Sequence, residues 1–105
     1  AQIAGQIRDL GRVGGNTDGM VTDVKGNLYI TDVTRNGIVR YDPETHSMSL
    51  IAASEEVRWP DTLAIRPNGD LVFTSSRLND HFAGTVKPGE ERYDLWRLRL
   101  DALQK

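Results

Sequence analysis

The sequence contains a repeat of itself. Residues 18–32 align on residues 61–75 without a gap. The identical pairs are Asp18/Asp61, Gly26/Gly69, Leu28/Leu71 and Thr31/Thr74, and the similar pairs are Met20/Leu63 and Ile30/Phe73. A period of about 40 to 45 residues, built from short strands and turn glycines, is typical of β-propeller blades. The repeat therefore predicts an all-β chain of about two four-stranded antiparallel blades, which cannot close a propeller on their own.

The composition argues against several classes of partner. At 105 residues the chain is at most one domain. With 13 basic and 15 acidic residues, its net charge of −2 creates no field that would attract nucleic acid or anionic lipid. It has no cysteine for disulfide or thiolate chemistry, and no apolar run approaches the ~20 residues of a membrane span. We therefore expect neither nucleic acid nor membrane among its partners.

The first repeat, residues 18–53, predicts one complete blade. Strands are predicted over residues 20–24, 28–32, 38–41 and 48–52. Asn36 and Gly37 predict a two-residue type I′ turn between the second and third strands, because both positions of that turn need a positive φ. Pro43 marks the next turn.

The second repeat, residues 61–100, predicts three strands and an insertion. Its strands are predicted over residues 63–66, 71–74 and 93–100, and the insertion spans residues 77–92. The fourth strand is missing, and the N-terminal residues 6–13 would supply an outer strand. Apolar residues there also fit helical spacing, but glycines punctuate the stretch and favour a strand. We therefore predict a single partial propeller domain over residues 1–105.

Four stretches carry a family resemblance. They are residues 17–23, 26–32, 59–62 and 69–78. In this order and spacing, with the insertion before the last strand, the chain resembles the C-terminal third of the major royal jelly protein/yellow family. More distantly, it is similar to the gluconolactonase/senescence-marker family, which shares the Asp-Gly motif before the inner strand. Both families are six-bladed β-propellers, so the resemblance implies that about four blades lie outside this chain.

Candidate chemistry lies in the loops that lead into the two inner strands, where Asp18 and Asp61 are equivalent. In a propeller these loops open on the central channel, so the carboxylates would converge there, with Thr62 and Arg77 as further ligand-binding candidates. Such a pair can contribute to a calcium site, which takes six to eight oxygens. The lactonase-like resemblance implies metal ligands at this position. The residues by themselves favour a simpler alternative, in which each Asp caps its own turn.

The insertion offers a second group of candidates. Arg77, His81 and Phe82 would form a lid over the channel mouth, since long loops on a rigid sheet often carry binding residues. The simpler interpretation of this polar, glycine-bearing segment is a mobile surface loop.

Three other residues have both a functional and a structural interpretation. Asp32 could act as a general base, although a bond to the turn that follows is the simpler expectation. Trp59 and Trp96 are expected in the core or between blades rather than in an aromatic ligand cage.

The sequence leaves three functions open, and with them the question of catalysis. The first is a small-molecule-binding propeller of the yellow type. For this type the resemblance implies aromatic or amine ligands in the channel, with some relatives converting dopachrome. The second is a metal-dependent lactone hydrolase, with calcium as the implied ion. The third is a structural fragment without activity of its own.

Two blades would expose apolar sheet faces and unpaired strand edges, both of which favour association. A head-to-tail interface generates a ring when its rotation closes. Three copies would supply six blades, so we expect a homotrimer or a partner chain that carries the missing blades. The alternative is that the chain is one piece of a longer protein. Relatives of the royal jelly type are usually exported, so the resemblance favours an extracytoplasmic location.

Overall fold

The computed structural model describes residues 4–9 and 15–103, and these form two antiparallel sheets. The four-stranded sheet contains β1 (Met20–Thr22), β2 (Leu28–Asp32), β3 (Gly37–Asp42) and β4 (Ser47–Ala53), and the three-stranded sheet contains β5 (Pro60–Ile65), β6 (Leu71–Ser75) and β7 (Asp94–Leu98). A short helix, α1 (Leu78–Phe82), follows β6, and 3-10 turns span Ala4–Gln6 and Leu100–Leu103. The all-β prediction is confirmed, with sheets that match partial propeller blades. No helix in the described ranges is long and apolar enough to cross a membrane.

Each sheet is a meander in which neighbouring strands follow one another along the chain. Equivalent cross-strand pairs are Leu28–Tyr41 and Ile30–Val39 in the first sheet, and Leu71–Leu98 and Phe73–Trp96 in the second. The repeat therefore extends beyond its identical residues, because β7 takes the place in its sheet that β3 takes in the first.

The turn between β2 and β3 differs from the predicted type I′ turn. It spans residues 33–36, and Asn36 has a positive φ of 52° while Gly37 already belongs to β3. A Cβ on Gly37 would overlap the carbonyl oxygen of Ala52 on β4, next to a register shift in the β3–β4 pairing. Close approach of two strands at a bulge, rather than turn geometry, therefore requires this glycine.

The predicted outer strand over residues 6–13 is not seen where the structure describes that segment. Ala4–Gln6 forms a 3-10 turn, and residues 7–9 have no regular secondary structure. Residues 10–14 lie outside the described residues, so for them the strand stays a prediction. Within the described ranges, no strand pairs with the outer edge of β7. A strand is part of a backbone ladder with a neighbour, and residues 7–9 belong to neither sheet.

The core lies between the two sheets, where β5 packs against β1 and β2. Its buried apolar residues are Tyr29, Ile38, Val57, Leu63, Leu71, Phe73 and Leu100. Burial of each large side chain contributes about 1.5–3 kcal/mol. Because side chains alternate along a strand, the other face of the second sheet points away from this core. Leu95 on that face is 74% exposed, and Tyr93, one residue before β7, is 71% exposed.

Candidate functional site

The two candidate aspartates lie in what we call the aspartate loops: the segment before β1, which contains Asp18, and the irregular start of β5, where the pairing with β6 shifts register between Pro60 and Leu63. Asp61 was predicted before its strand but lies in this first part of β5.

The two aspartate loops are built in the same way. The hydroxyl oxygen of Thr31 on β2 accepts hydrogen bonds from the backbone N–H groups of Asp18, at 2.9 Å, and Gly19, at 3.0 Å. The equivalent Thr74 on β6 accepts from the backbone N–H of Thr62, at 3.2 Å. This shared contact explains why the threonine is identical in both repeats, since it positions the loop that carries the candidate aspartate.

These two loops touch each other through their backbones. A Cβ on Gly19 would overlap the carbonyl oxygen of Asp61. The position equivalent to Gly19 in the second repeat is Thr62, which is exposed and has room for its side chain. The glycine is therefore required because the next blade approaches closely, and this approach places the two aspartate loops side by side.

Asp18 and Asp61 interact across the blade boundary. Oδ2 of Asp18 accepts a 2.8 Å hydrogen bond from the indole N–H of Trp59, and Oδ1 of Asp61 lies 3.4 Å from the hydroxyl of Thr62. Burial raises the pKa of the Asp61 carboxyl, and the adjacent charge and hydrogen bonding of Asp18 raise it further. The side chain of Asp18 therefore bonds to the neighbouring blade, whereas the sequence favoured a cap within its own turn.

Trp59 has an unusual backbone conformation beside the aspartates. Both Trp59 and Arg77 have a φ of 53°, in the left-handed region that few non-glycine residues adopt. They belong to adjoining strand ends, where the N–H of Ser76 donates to the Trp59 carbonyl and the N–H of Arg77 donates to the Arg58 carbonyl. Backbone strain of this kind collects at binding and catalytic sites.

An aromatic contact extends the site towards the insertion. The rings of Trp59 and Phe82 meet edge to face, with centroids 5.9 Å apart and an interplanar angle of 80°. Phe82 is 75% exposed, so much of its ring faces solvent. The sequence predicted Trp59 in the core or between blades, and its bond to Asp18 lies between blades. Its contact with a candidate aspartate was not predicted, although its position two residues before Asp61 was a signal for it.

The start of the insertion is anchored to the loop before β5. Arg58 donates through Nε to Oδ2 of Asp80 at 2.8 Å and through Nη2 to Oδ1 at 2.6 Å. The guanidinium of Arg58 holds the pKa of Asp80 below its usual value. Within the described residues, Nε of Arg77 and Nε2 of His81 are buried without a hydrogen-bond partner. The predicted lid segment therefore begins as an ordered turn next to Trp59.

Asp32 has the structural role that the simpler interpretation predicted. The side chain is buried, and it accepts from the backbone N–H of Arg35 at 3.0 Å and from its Nε at 2.7 Å. Burial alone would raise the pKa of Asp32, but the bonds from Arg35 outweigh burial and lower it. A carboxylate held in this way is a poor general base at neutral pH.

The indole N–H of Trp96, like that of Trp59, donates a hydrogen bond. Trp96 is half-buried against the core, and its N–H donates at 2.9 Å to the hydroxyl of Ser75, which occupies the position equivalent to Asp32. Buried indoles usually find such a partner. The packing role expected for Trp96 is therefore present, together with a bond between β6 and β7.

The carboxylate pair falls short of a complete calcium site. Calcium takes six to eight oxygens. The described residues hold no group of three or more His, Cys, Asp or Glu side chains that could bind a metal. Asp18 and Asp61 would need oxygens from water, from the backbone or from other blades, so the metal role of this pair stays a prediction.

The chain was compared with known proteins. The protein-family model described as "Major royal jelly protein" matches residues 1–105. A search of curated proteins found no match. The matched range includes both sheets, the two aspartate loops and the insertion that carries Phe82.

Proposed function

Because the chain belongs to the major royal jelly protein family, we propose that it forms two blades of a yellow-like β-propeller and binds a small organic amine at the channel mouth. The ammonium group would lie against Asp18 and Asp61. The observation that carries this proposal is the close approach of Gly19 to the Asp61 carbonyl, which brings the two aspartates together across the blade boundary. Two adjacent negative charges favour a cation between them.

The electrostatics of the pair support a cation of this kind. Two ionised carboxylates held close together repel each other, which, besides burial, is one reason why the pKa of Asp61 is raised. A bound ammonium group removes this repulsion and donates up to three hydrogen bonds. The bond from Trp59 holds Asp18 in place beforehand, which lowers the entropy that binding would otherwise cost.

The aromatic side chains favour an amine with an aryl group. The exposed ring of Phe82, fixed edge to face on Trp59, offers a surface for a second ring within the same site. Aromatic faces also attract the cation itself. Thr62 and Arg77 are the other members of the predicted ligand set, and the hydroxyl of Thr62 lies next to Asp61.

We further propose that other blades complete the channel. Three copies of this chain would supply them in the simplest case, and a partner chain that carries the missing blades is the alternative. The outward face of the second sheet supports this assembly, because Leu95 is largely exposed there, as is Tyr93 just before β7. Exposed apolar residues on a sheet face with an unpaired edge favour association.

Isothermal titration calorimetry with phenethylamine tests amine binding. 3-Phenylpropionate carries a similar aryl chain with the opposite charge, and we expect it to bind at least about tenfold more weakly. Asp18→Asn and Asp61→Asn should each weaken phenethylamine binding about tenfold, whereas Glu90→Gln, which removes an exposed charge from the insertion, should not. Equal binding of the acid and the amine would contradict the proposal, as would unchanged affinity in both aspartate variants.

The same variants distinguish amine binding from the alternative function of a lactone hydrolase. That function predicts calcium-dependent hydrolysis of a lactone that is lost in Asp18→Asn. Amine binding that needs no calcium, without lactone turnover, supports the yellow-like function instead.

A further inference from the structure

The short helix α1, which carries Phe82, does not pack into the core. None of its five residues, all of them within the described range 15–103, is buried. So short a helix is not stable on its own, because forming its first turn costs more free energy than its few hydrogen bonds return. The position of Phe82 therefore depends on the contacts that α1 makes with other segments.

Two consecutive residues just before β5 make such contacts. Arg58 donates two hydrogen bonds to Asp80, and the ring of Trp59 meets the ring of Phe82 edge to face. Successive side chains of an extended strand point to opposite faces, but Trp59 has a positive φ of 53°. The side chains of Arg58 and Trp59 thus both reach α1, at two residues that are also close in the chain.

Asp80 also closes the turn that carries Phe82. Its backbone carbonyl accepts hydrogen bonds from the N–H and from the hydroxyl of Thr85, each at 3.1 Å. Phe82 lies between Asp80 and Thr85 in the chain. The side chain of Asp80 therefore joins a closed turn, and not a loose chain end, to Arg58.

The contact between Arg58 and Asp80 fixes an orientation as well as a distance. Nε and Nη2 of Arg58 each bind a different carboxylate oxygen of Asp80, and such a two-point contact between planar groups restricts their rotation. Both side chains are partly shielded from solvent, with exposed fractions of 34% and 20%. Water and salt therefore weaken this pair less than they weaken a fully exposed one.

We propose that the Arg58–Asp80 pair positions the ring of Phe82 against Trp59 and thereby determines the preference of the amine site for an aryl group. This role rests on the amine function proposed above. Arg58 and Asp80 are positioning residues, because they act through Phe82 and not by touching the ligand. Aromatic rings attract one another in offset or edge-to-face arrangements, so a Phe82 ring that is no longer held in place loses this attraction for the ring of the ligand.

The affinities for phenethylamine and 2-cyclohexylethylamine test this role by calorimetry. Both amines carry the same charge on a six-membered ring with the same linker, but only the ring of phenethylamine is aromatic. We expect wild type to bind phenethylamine roughly threefold to tenfold more tightly than 2-cyclohexylethylamine. Asp80→Asn and Arg58→Gln should each bring this ratio close to unity.

Two further variants serve as controls. In a Phe82→Leu background, Asp80→Asn should not change the ratio further, because its effect passes through Phe82. Asp101→Asn removes the same charge from an exposed residue of the C-terminal 3-10 turn, and it should leave the ratio as in wild type.

The NMR chemical shifts of the Phe82 ring give a second readout, which needs no ligand. The nearby ring of Trp59 should displace these shifts in wild type. Asp80→Asn should move them towards the values of a solvated phenylalanine, whereas Asp101→Asn should not. Unchanged shifts in Asp80→Asn would overturn the proposal.

The binding experiment separates this proposal from the amine function itself. If both amines bind and Asp80→Asn weakens them equally, or not at all, the positioning role is wrong while amine binding stands. If wild type binds neither amine, the amine function is wrong and the aryl preference fails with it.

Discussion

The indole N–H of Trp59 donates a 2.8 Å hydrogen bond to Oδ2 of Asp18, although the two residues are 41 positions apart in the chain. The bond joins the start of the second blade to the candidate aspartate of the first. Asp18 is therefore oriented by its neighbouring blade, and the candidate site depends on the way the two sheets pack.

Replacing Trp59 by Phe tests this bond while keeping an aromatic ring. We expect the free energy of unfolding to fall by about 1 kcal/mol, the usual net value of one hydrogen bond, and phenethylamine to bind more weakly because Asp18 is no longer oriented. Urea denaturation and calorimetry measure the two effects. For stability, Phe82→Leu keeps the bond to Asp18 and serves as the comparison. Unchanged stability and affinity in Trp59→Phe would show that the bond has no role.

Replacing Gly19 by Ala tests the close approach of the two blades. The added Cβ would overlap the carbonyl oxygen of Asp61, so the loops must separate at a cost of about 1–3 kcal/mol in the free energy of unfolding. Gly15→Ala is the matched control, because a Cβ there meets no atom within 4 Å. Urea denaturation should show a large loss for the first variant and almost none for the second. Equal effects would mean that the blades are not in contact at Gly19.

Replacing Asp32 by Asn tests the turn after β2. The buried carboxylate loses its ion pair with Arg35, and we expect a loss of about 1–3 kcal/mol at pH 7. Because the folded-state pKa of Asp32 lies below its usual 3.8, its contribution is present above that pH and is lost as the pH falls through the folded-state pKa. The difference between wild type and variant should therefore shrink in acid denaturation experiments below about pH 4. A constant difference would exclude this ionisation as the cause.

Replacing Asp61 by Asn should have the opposite pH dependence. The folded-state pKa of Asp61 is raised by burial and by the charge of Asp18, so its contribution is present below its usual pKa of 3.8 and is lost as the pH rises through the folded-state pKa. Without bound amine, the variant should match wild type near pH 3 and be more stable at pH 7, by up to about 1 kcal/mol. Thermal unfolding across this range measures the effect. A variant less stable than wild type at pH 7 would contradict the repulsion.

Replacing Leu95 by Asp tests the proposed assembly. Leu95 is 74% exposed on the outward face of the second sheet, so a charge there should reduce association without unfolding the chain. Sedimentation equilibrium should show an oligomer for wild type and a shift to monomer for the variant. Val24→Asp, at a fully exposed turn residue, is the control. A wild-type chain that sediments only as a monomer would contradict the homotrimer.

Local patterns in the sequence were enough to predict most of the strands. Alternating apolar residues and turn signals repeat within each unit, so β2 and β6 were predicted to within a residue of their bounds. The repeat also aligned Asp18 with Asp61, although β5 begins at Pro60 and therefore includes Asp61. These predictions succeeded because strand alternation and turn chemistry depend on neighbours in the chain.

Only the tertiary structure decided what these residues contact. The glycines at positions 19 and 37 are required by backbone atoms of other strands, and Trp59 reaches Asp18 on a different blade. Such contacts depend on how two sheets approach each other, and the side-chain order along a single strand does not encode that distance. The sequence determined which residues are candidates for a site, and the packing of one blade on the next brings Asp18, Asp61 and Trp59 together.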